Sequence, residues 1–575
     1  MRYERQTRGQ NFYALDTNLQ TLLGRIAPEV LARWQDRLSE FGAWVGGELD
    51  EEAEYTDRFG RPVLEAFDRD GELTNRVRMN PQWEAASRQV YRLGAVGLNY
   101  TDDPAPFLVT FAMGYLISQS DPSLHCPVTM TGAVAYVLDR FAPAEVRERY
   151  LHQLTRMDGE ALSGGTWATE LHGGSDVGAT TTVARRSGDH FALSGLKWFV
   201  SNPSGGLALA TARPEGAPSG TKGLGLYLVP SHLDDGSPNP MHLRRLKDKL
   251  GTCGIPTGEI DLNQSFAVEL APPPDGFKLM MEALEFSRIG NALSAAGLQR
   301  RAFLEAVSYA AHREAFGDTI TRYPMVQDQL IEMMAHLEAG VALSFEAARA
   351  FSEARVVDLD QASGPERAWL RLVTALAKYQ TAEDGNNACR AAIEVIGGNG
   401  YTYDYVTPRL HRDAQVHSVW EGPANIQALE VLRLLGNRYP GFRAYAERVE
   451  GVLEAAPAKL GDLAGALRSA LDDCREAVAY LQGDAAEAQR HARKLMALMA
   501  ELLGGALLLE EASAGLAVGD ARKALIARWY VERHFDPPRR RGILPGQDWA
   551  HAHFEELVGY EAVAAPPAAP ERALG

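Results

Sequence analysis

The segment Thr166-Trp167-Ala168-Thr169-Glu170-Leu171-His172-Gly173-Gly174-Ser175-Asp176 lies where a chain of helical character turns into one of short strands. Its paired glycines followed by Ser-Asp place several backbone N–H groups and hydroxyls where a flat heteroaromatic or a phosphate could approach closely. Taken by itself, a Gly-Gly-Ser turn also reads as an ordinary β-turn.

Outward from this segment the chain divides by pattern. On the N-terminal side, 15–157 carries apolar residues at i, i+3, i+4, as in 28–44 and 128–141, and reads as helical with an irregular Pro-bearing interruption at 80–83. On the C-terminal side, 161–270 holds short β-rich runs: a hairpin of 180–186 and 190–194 about Ser187-Gly188-Asp189, then 197–201, 207–212, 223–230 and 258–270. After Pro272-Pro273-Pro274-Asp275-Gly276, long amphipathic runs at 278–314, 324–350, 364–396 and 423–435 predict a helix bundle. Helical stretches at 456–482, 485–516 and 520–532 follow, with an Ala/Pro-rich tail from Ala562 expected to be disordered. The expected fold is mainly α with a small central β-domain. Its domains are 1–160 (N-terminal helical), 161–275 (β), 276–440 (helical bundle) and 441–575 (C-terminal helical extension).

Composition agrees with a folded multi-domain protein. The 575 residues are 46% hydrophobic and 23% charged, and 58 Lys plus Arg against 75 Asp plus Glu give a net charge of −17. That balance repels phosphate backbones and anionic membranes. The cysteines, Cys126, Cys253, Cys389 and Cys474, are too dispersed for a C-x-x-C pair and fit buried thiols of a reducing compartment. The N-terminus has no apolar h-region and no apolar run approaches a bilayer span, so a cytoplasmic location is expected. Glu-x-x-His, H-E-x-x-H, G-x-x-x-x-G-K-[ST] and G-x-G-x-x-G are all absent.

Three further segments carry chemistry. Leu196-Lys197-Trp198-Phe199-Val200-Ser201-Asn202 puts aromatics beside a hydroxyl at a strand end. The others are Glu394-Val395-Ile396-Gly397-Gly398-Asn399-Gly400-Tyr401 and Ser418-Val419-Trp420-Glu421-Gly422-Pro423-Ala424-Asn425-Ile426-Gln427. Singly, a carboxylate such as Glu421 before an apolar helix is a cap or a dipole partner. Together, Thr169-Glu170 with Gly173-Gly174-Ser175-Asp176, Arg313-Glu314-Ala315-Phe316-Gly317, the Gly397 to Gly400 run and Trp420-Glu421-Gly422 resemble, in order and spacing, the signatures of the acyl-CoA dehydrogenase superfamily over 90–435. Cys126-Pro127-Val128-Thr129-Met130-Thr131, Leu246-Lys247-Asp248-Lys249-Leu250-Gly251 and the extension past Pro440 resemble its alkylation-response, AidB-like branch in particular.

The resemblance implies a β-barrel-like middle domain, a four-helix bundle and an FAD cofactor. It implies that Thr169, Gly174 and Ser175, with backbone of Trp167 and Ala168, hold the flavin ring, flanked by Phe199 and Ser201. Arg313, Phe316 and Ile320, with Glu394, Gly397 and Gly398, match the set that reaches the FAD of a neighbouring subunit, which implies a homo-oligomer, dimer or tetramer. Asn425 matches a further cofactor-side position. Glu421 matches the catalytic base. Ser175, Glu285, Arg288, Trp420 and Gly422 match substrate-side positions, the Glu285 and Arg288 pair reading otherwise as a helix-surface pair. Leu171, Phe199 and Pro423 depart from the usual Pro, Trp and Thr or Ser, which bears on acyl-chain specificity.

The activity so implied is α,β-dehydrogenation of an acyl-CoA thioester, with electrons passing to an electron-transferring flavoprotein. The alternative is an AidB-like stress-response flavoprotein that binds DNA or a protein partner with only residual dehydrogenase activity. His551 and His553 beside Glu555 and Glu556 read as a solvated turn, and no metal is expected. Trp529-Tyr530 reads as helix core, and Arg533 with Arg539-Arg540-Arg541 as a basic surface turn.

Nucleic acid is not an expected partner. From Gly441 onward, 16 Lys plus Arg face 20 Asp plus Glu, so the extension carries −4 of the −17 and the preceding residues −13. Duplex DNA should therefore bind no tighter than about 10⁻⁴ to 10⁻⁶ M at physiological salt. Fluorescence anisotropy with a short duplex checks this, and saturable submicromolar binding abolished by R539A/R540A/R541A would overturn it.

Overall fold

The computed structural model describes residues 3–354, 364–436, 440–537, 549–560 and 562–564. They form two compact units, 48–290 and 1–47 with 291–575. In chain order the helices are α1 (Thr17–Ile26), α2 (Pro28–Trp44), α3 (Asp50–Arg58), α4 (Pro81–Arg92), α5 (Phe107–Ser120), α6 (Pro122–Phe141), α7 (Ala144–Thr155), α8 (Gly276–His312), α9 (Pro324–Glu353), α10 (Pro365–Ile396), α11 (Thr407–His417), α12 (Ala424–Leu434), α13 (Gly441–Ala455), α14 (Gly461–Leu481), α15 (Ala485–Ala517) and α16 (Arg522–Phe535). The strands are β1 (Val63–Phe67), β2 (Leu73–Arg78), β3 (Ser163–Trp167), β4 (Val183–Ser187), β5 (His190–Ser201), β6 (Gly206–Pro214), β7 (Gly225–Pro230), β8 (Met241–Leu246) and β9 (Thr257–Ala271). The architecture is mainly α with a small β-domain within the chain, as expected.

In unit 48–290, β4, β5, β9, β7 and β6 pair in succession, and β6 returns to β4, so the sheet closes on itself. β3 adds to β6 in parallel and β8 to β9 antiparallel. The interior is filled by Trp167, Leu193, Val200, Ala210, Tyr227 and Ile260 among others. The 187–190 connection is a hairpin turn as expected, with Gly188 left-handed at φ 66°. The runs 190–194 and 197–201 are one strand. Register shifts after Leu193 and after Lys197 bend β5, so a single strand serves both segments.

Two expectations for 15–157 are corrected. The stretch 80–83 is a helix start: the Asn80 side chain accepts from Trp83 N, and Pro81 opens α4 at its first position, where the missing N–H costs nothing. The hairpin β1–β2 stands where helix was expected. Leu64 and Val77 alone pack inward on the barrel core while its outer residues are exposed, so the alternation is masked by polar residues.

The second unit holds α9 to α12 with α1, α2 and α13 to α16, and α8 continues into it from Asn291. The run 456–482 begins as a helix only at Gly461, because Pro457 and a 3₁₀ turn precede it, and α13 and α11 are additional helices. Trp529 and Tyr530 are core, as expected. Cys253, Cys389 and Cys474 are buried free thiols, and Cys126 is half-buried. Arg539, Arg540, Arg541 and most of the tail from Ala562 lie outside the described residues. No helix among the described residues is long and apolar enough to cross a membrane.

Buried charge joins the extension to the bundle. His336 of α9 lies between Trp529, Tyr530 and His534 of α16, with Asp384 of α10 at 3.7 Å and the His534 ring centroid at 5.2 Å. Burial opposes its charge, but Asp384, then Glu332 and Glu501, outweigh this and raise its pKa above 6.5. A raised pKa adds stability that is complete below the ordinary value and is lost as pH rises through the folded one. Urea unfolding across pH 6 to 9 should thus show a fall in stability that D384N removes. An unchanged slope in D384N would refute the pairing.

Candidate functional site

The glycine loop is held by one buried carboxylate. Glu170, 1% exposed, accepts from Thr181 N (2.7 Å) and Oγ1 (2.6 Å), from Thr182 N (3.1 Å) and Oγ1 (2.6 Å), and from Lys197 Nζ (2.9 Å). Lys197 Nζ also donates to Thr211 O at 2.8 Å. Burial alone would raise the Glu170 pKa, yet Lys197 and the hydroxyls bring it down to about 2, while burial lowers that of Lys197. The Glu170 to Gly173 bridge closes the loop on itself, and Trp198 N to Thr169 O (3.0 Å) joins it to β5.

On this support Gly174 and Ser175 are exposed, Thr169 and Ser201 half-buried, and Phe199 stands out at 55% exposure. A Cβ at Gly174 would come within 2.6 Å of Thr169 Oγ1, so a side chain there would have to displace that hydroxyl. The Trp167 side chain points into the barrel core, and its indole N–H finds no acceptor. Lys247 Nζ lies 3.8 Å from the Trp198 ring centroid and 4.6 Å from that of Phe199 while donating to Glu259 Oε1 at 2.7 Å. An accessible aromatic ring, a glycine cradle and the exposed Ser175 hydroxyl fit a flat heteroaromatic such as FAD, while the buried indole N–H of Trp167 takes no part in this surface. Lys197 and Lys247 stand in motif-bearing segments, but their contacts, like those of the Thr181-Thr182 hydroxyls, are made only by folding.

Also in unit 48–290, Glu285 and Arg288 are 3% and 7% exposed, with Arg288 Nη1 at 3.8 Å from Glu285 Oε2. They are a buried pair, not a surface one. Phe286 between them packs on Phe107, Phe111 and Tyr136.

In the other unit, Trp420, Glu421 and Gly422 lie between α11 and α12, and Asn425 is the second residue of α12. Glu421 and Gly422 are both left-handed, at φ 57° and 95°, and Glu421 is half-buried. Gln427 Nε2 donates to Glu421 O and Gly422 O, both at 3.0 Å, and Lys378 Nζ of α10 donates to Gly422 O at 2.7 Å. Trp420 Nε1 donates to Asn291 Oδ1, and His417 Nε2 shares a 2.8 Å hydrogen bond with Ser294 Oγ. Burial, and then Lys378, bring the His417 pKa down to about 4. Asn425 is exposed.

Arg313, Phe316 and Ile320 flank a tight two-strand turn, with Gly317 at φ 97°. Phe316 is 99% exposed and Arg313 exposed. Glu394 pairs with Arg390 (2.8 Å), and Gly397, at φ 76°, and Gly398 are exposed and have nothing within 4 Å of an added Cβ. The Asn399 amide donates to Tyr309 OH (3.3 Å), tying the glycine run to the end of α8. His551 lies 3.1 Å from Asp328 and His553 3.7 Å from Glu556.

Comparison with known proteins agrees with this architecture. Residues 4–159 match the adaptive response protein AidB N-terminal domain, 165–265 the acyl-CoA dehydrogenase middle domain and 274–436 the acyl-CoA dehydrogenase C-terminal domain. The chain is 30% identical to acyl-CoA dehydrogenase family member 11 of Caenorhabditis elegans over 88% of this chain and 84% of that protein. It is 32% identical to the putative acyl-CoA dehydrogenase AidB of Escherichia coli over 71% and 75% respectively. The crystal structure of C. elegans ACDH-11 in complex with C11-CoA superposes with a TM-score of 0.85 at 29% identity, covering 91% of each chain.

The Glu170 pair yields a test. E170Q strands a buried lysine, which typically costs about 3 to 5 kcal/mol. The purified variant should melt lower and retain less flavin absorbance than wild type. Wild-type melting and flavin content would contradict the role given to the pair. Because the folded pKa is depressed, the contribution is full above pH 4.5 and fades as pH falls towards 2.

Proposed function

The chain belongs to the acyl-CoA dehydrogenase family, sharing its AidB-like features, and on that premise we propose that it desaturates an acyl-CoA thioester at Cα–Cβ with Glu421 as base. At the coarser level it is an FAD-dependent oxidoreductase of acyl-CoA dehydrogenase type. FAD, when bound, supplies the hydride acceptor at flavin N5.

The observation that supports the finer reading is the left-handed Glu421-Gly422 turn, whose backbone carbonyls are held from two helices, so that the backbone bearing the carboxyl is restrained. Glu421 takes the α-proton of the thioester, and the glycine leaves the thioester carbonyl unobstructed. Thr169, Gly174, Ser175, Phe199 and Ser201, with backbone of Trp167 and Ala168, would hold the flavin ring. Arg313, Phe316, Ile320, Glu394, Gly397 and Gly398 would hold the FAD of a neighbouring copy, and Asn425 a further part of the cofactor. Arg313 suits this because its planar fork bonds two phosphate oxygens at once. The near-complete exposure of Phe316 supports a homo-oligomer that covers it. Ser175, Glu285, Arg288, Trp420 and Gly422 are proposed on the substrate side, with an electron-transferring flavoprotein as acceptor. The segments 1–160, 161–275, 276–440 and 441–575 are proposed as its domains.

The AidB N-terminal match favours a second reading, a stress-response flavoprotein with residual dehydrogenase activity. Anaerobic titration with an acyl-CoA series separates the two. Under the first, wild type bleaches, and E421Q keeps its flavin while losing about 10² to 10⁴ in reduction rate. Fast bleaching of E421Q would remove Glu421 from the mechanism, and no bleaching of wild type by any chain length would favour the second reading.

A further inference from the structure

We propose that Lys378 is the positioning residue that holds the Glu421-Gly422 turn in its working geometry, an inference that rests on Glu421 being the base. A non-glycine residue in the left-handed region persists only where its surroundings over-determine it. At this turn they do. Gly422 O accepts from both Lys378 Nζ at 2.7 Å and Gln427 Nε2 at 3.0 Å, and Gln427 Nε2 also reaches Glu421 O. A Cβ on residue 422 would meet Gln427 Nε2 at 2.9 Å, so a side chain there would push the Gln427 amide off the turn.

The identity of the donor is informative. Lys378 is 1% exposed in the middle of α10, where an ammonium is expensive to bury. A neutral amide would also give Gly422 O a donor, as Gln427 does. A cation adds two things. Its hydrogen bond to the carbonyl is stronger than a neutral one, and its charge, one residue from the Glu421 backbone, eases ionisation of a half-buried carboxyl. The other titratable side chain facing the turn among the described contacts is His417 of α11, which is held neutral by burial and by Lys378. Asn291, Ser294 and Gln427, from α8 and α12, are uncharged. Lys378 is therefore the cation described at the turn, delivered from a 32-residue helix.

The test compares K378M, K378Q and K378R with E421Q in flavin-loaded full-length protein, using butyryl-, octanoyl- and palmitoyl-CoA under anaerobic stopped flow. Expected for K378M is a limiting flavin-reduction rate lower by about 10²-fold, as for a misplaced reacting group. The concentration dependence should change by less than about threefold, and flavin content should be retained. K378Q, which keeps a donor without charge, should fold like wild type and move the acidic limb of the rate profile to higher pH. K378R should recover part of the rate. A wild-type limiting rate and an unshifted limb in K378M and K378Q, with E421Q inactive, would overturn the role of Lys378 alone. Full activity of E421Q, or no reduction of wild type by any of the three thioesters, would overturn the base assignment and this inference with it.

Discussion

One carboxylate organises the β-unit. Glu170 leaves the end of β3, takes four hydrogen bonds from the two threonines that precede β4, and meets Lys197 of β5, which in turn reaches the Thr211 carbonyl of β6. Four strands are thereby indexed to a single buried charge. Without Lys197 and the hydroxyls such a charge would not survive burial; with them it is cheaper to keep than to break. The consequences reach outward along the same strands. Thr169 is fixed by Trp198, and the next residue, Phe199, is the ring left standing in solvent. The accessible platform thus depends on an interaction that is itself inaccessible.

The helical unit uses charge in the same way on a larger scale. Glu338 of α9, fully buried, takes Arg522 Nη2 at 2.5 Å and Lys523 Nζ at 2.6 Å from α16, and Lys523 also pairs with Glu511 of α15. Arg448 of α13 bridges Glu346 of α9 and Glu510 of α15. Arg528 holds Asp462. Arg448, Arg522, Lys523 and Arg528 of the extension are thus committed to carboxylates within the unit. Counting basic residues in the sequence therefore overstates what the extension can offer to a polyanion, and its −4 balance is reinforced by where the charges sit.

What was legible in the sequence was local. The glycine loop, the Arg313 turn, the Gly397 run and the Trp420-Glu421-Gly422 segment are contiguous, so their residue types and spacing survive as motifs, and the long helices announced themselves by period. What was not legible was support from afar. Lys378 and Asn291 lie in unremarkable helices, tens of residues from the groups they hold, and Lys197, although inside a segment that carries chemistry, meets Glu170 only through folding. Glu285 and Arg288 look like a surface i,i+3 pair, because burial depends on packing against other segments. The β1–β2 hairpin was missed for a related reason. Its strand Leu73–Arg78 contains Thr, Asn and two Arg, and only Val77 and Leu64 face the core.

Pro423 shows how a departure from the family pattern is absorbed. Proline brings neither the hydroxyl nor the N–H that a threonine or serine would offer after Glu-Gly. It occupies the cap of α12 with φ −64°, a geometry its ring prefers, and its carbonyl accepts from Ile426 N at 2.8 Å and Gln427 N at 3.2 Å. That places Gln427 one turn into the helix, where its side chain folds back and supplies the amide donors to the two carbonyls of the turn. The restraint on the Glu421-Gly422 backbone comes from the helix that follows and not from the residue after the glycine. A stiffer turn with fewer hydroxyls presents less polar surface to a ligand, so the exchange bears more on what the turn admits than on where its carboxylate stands.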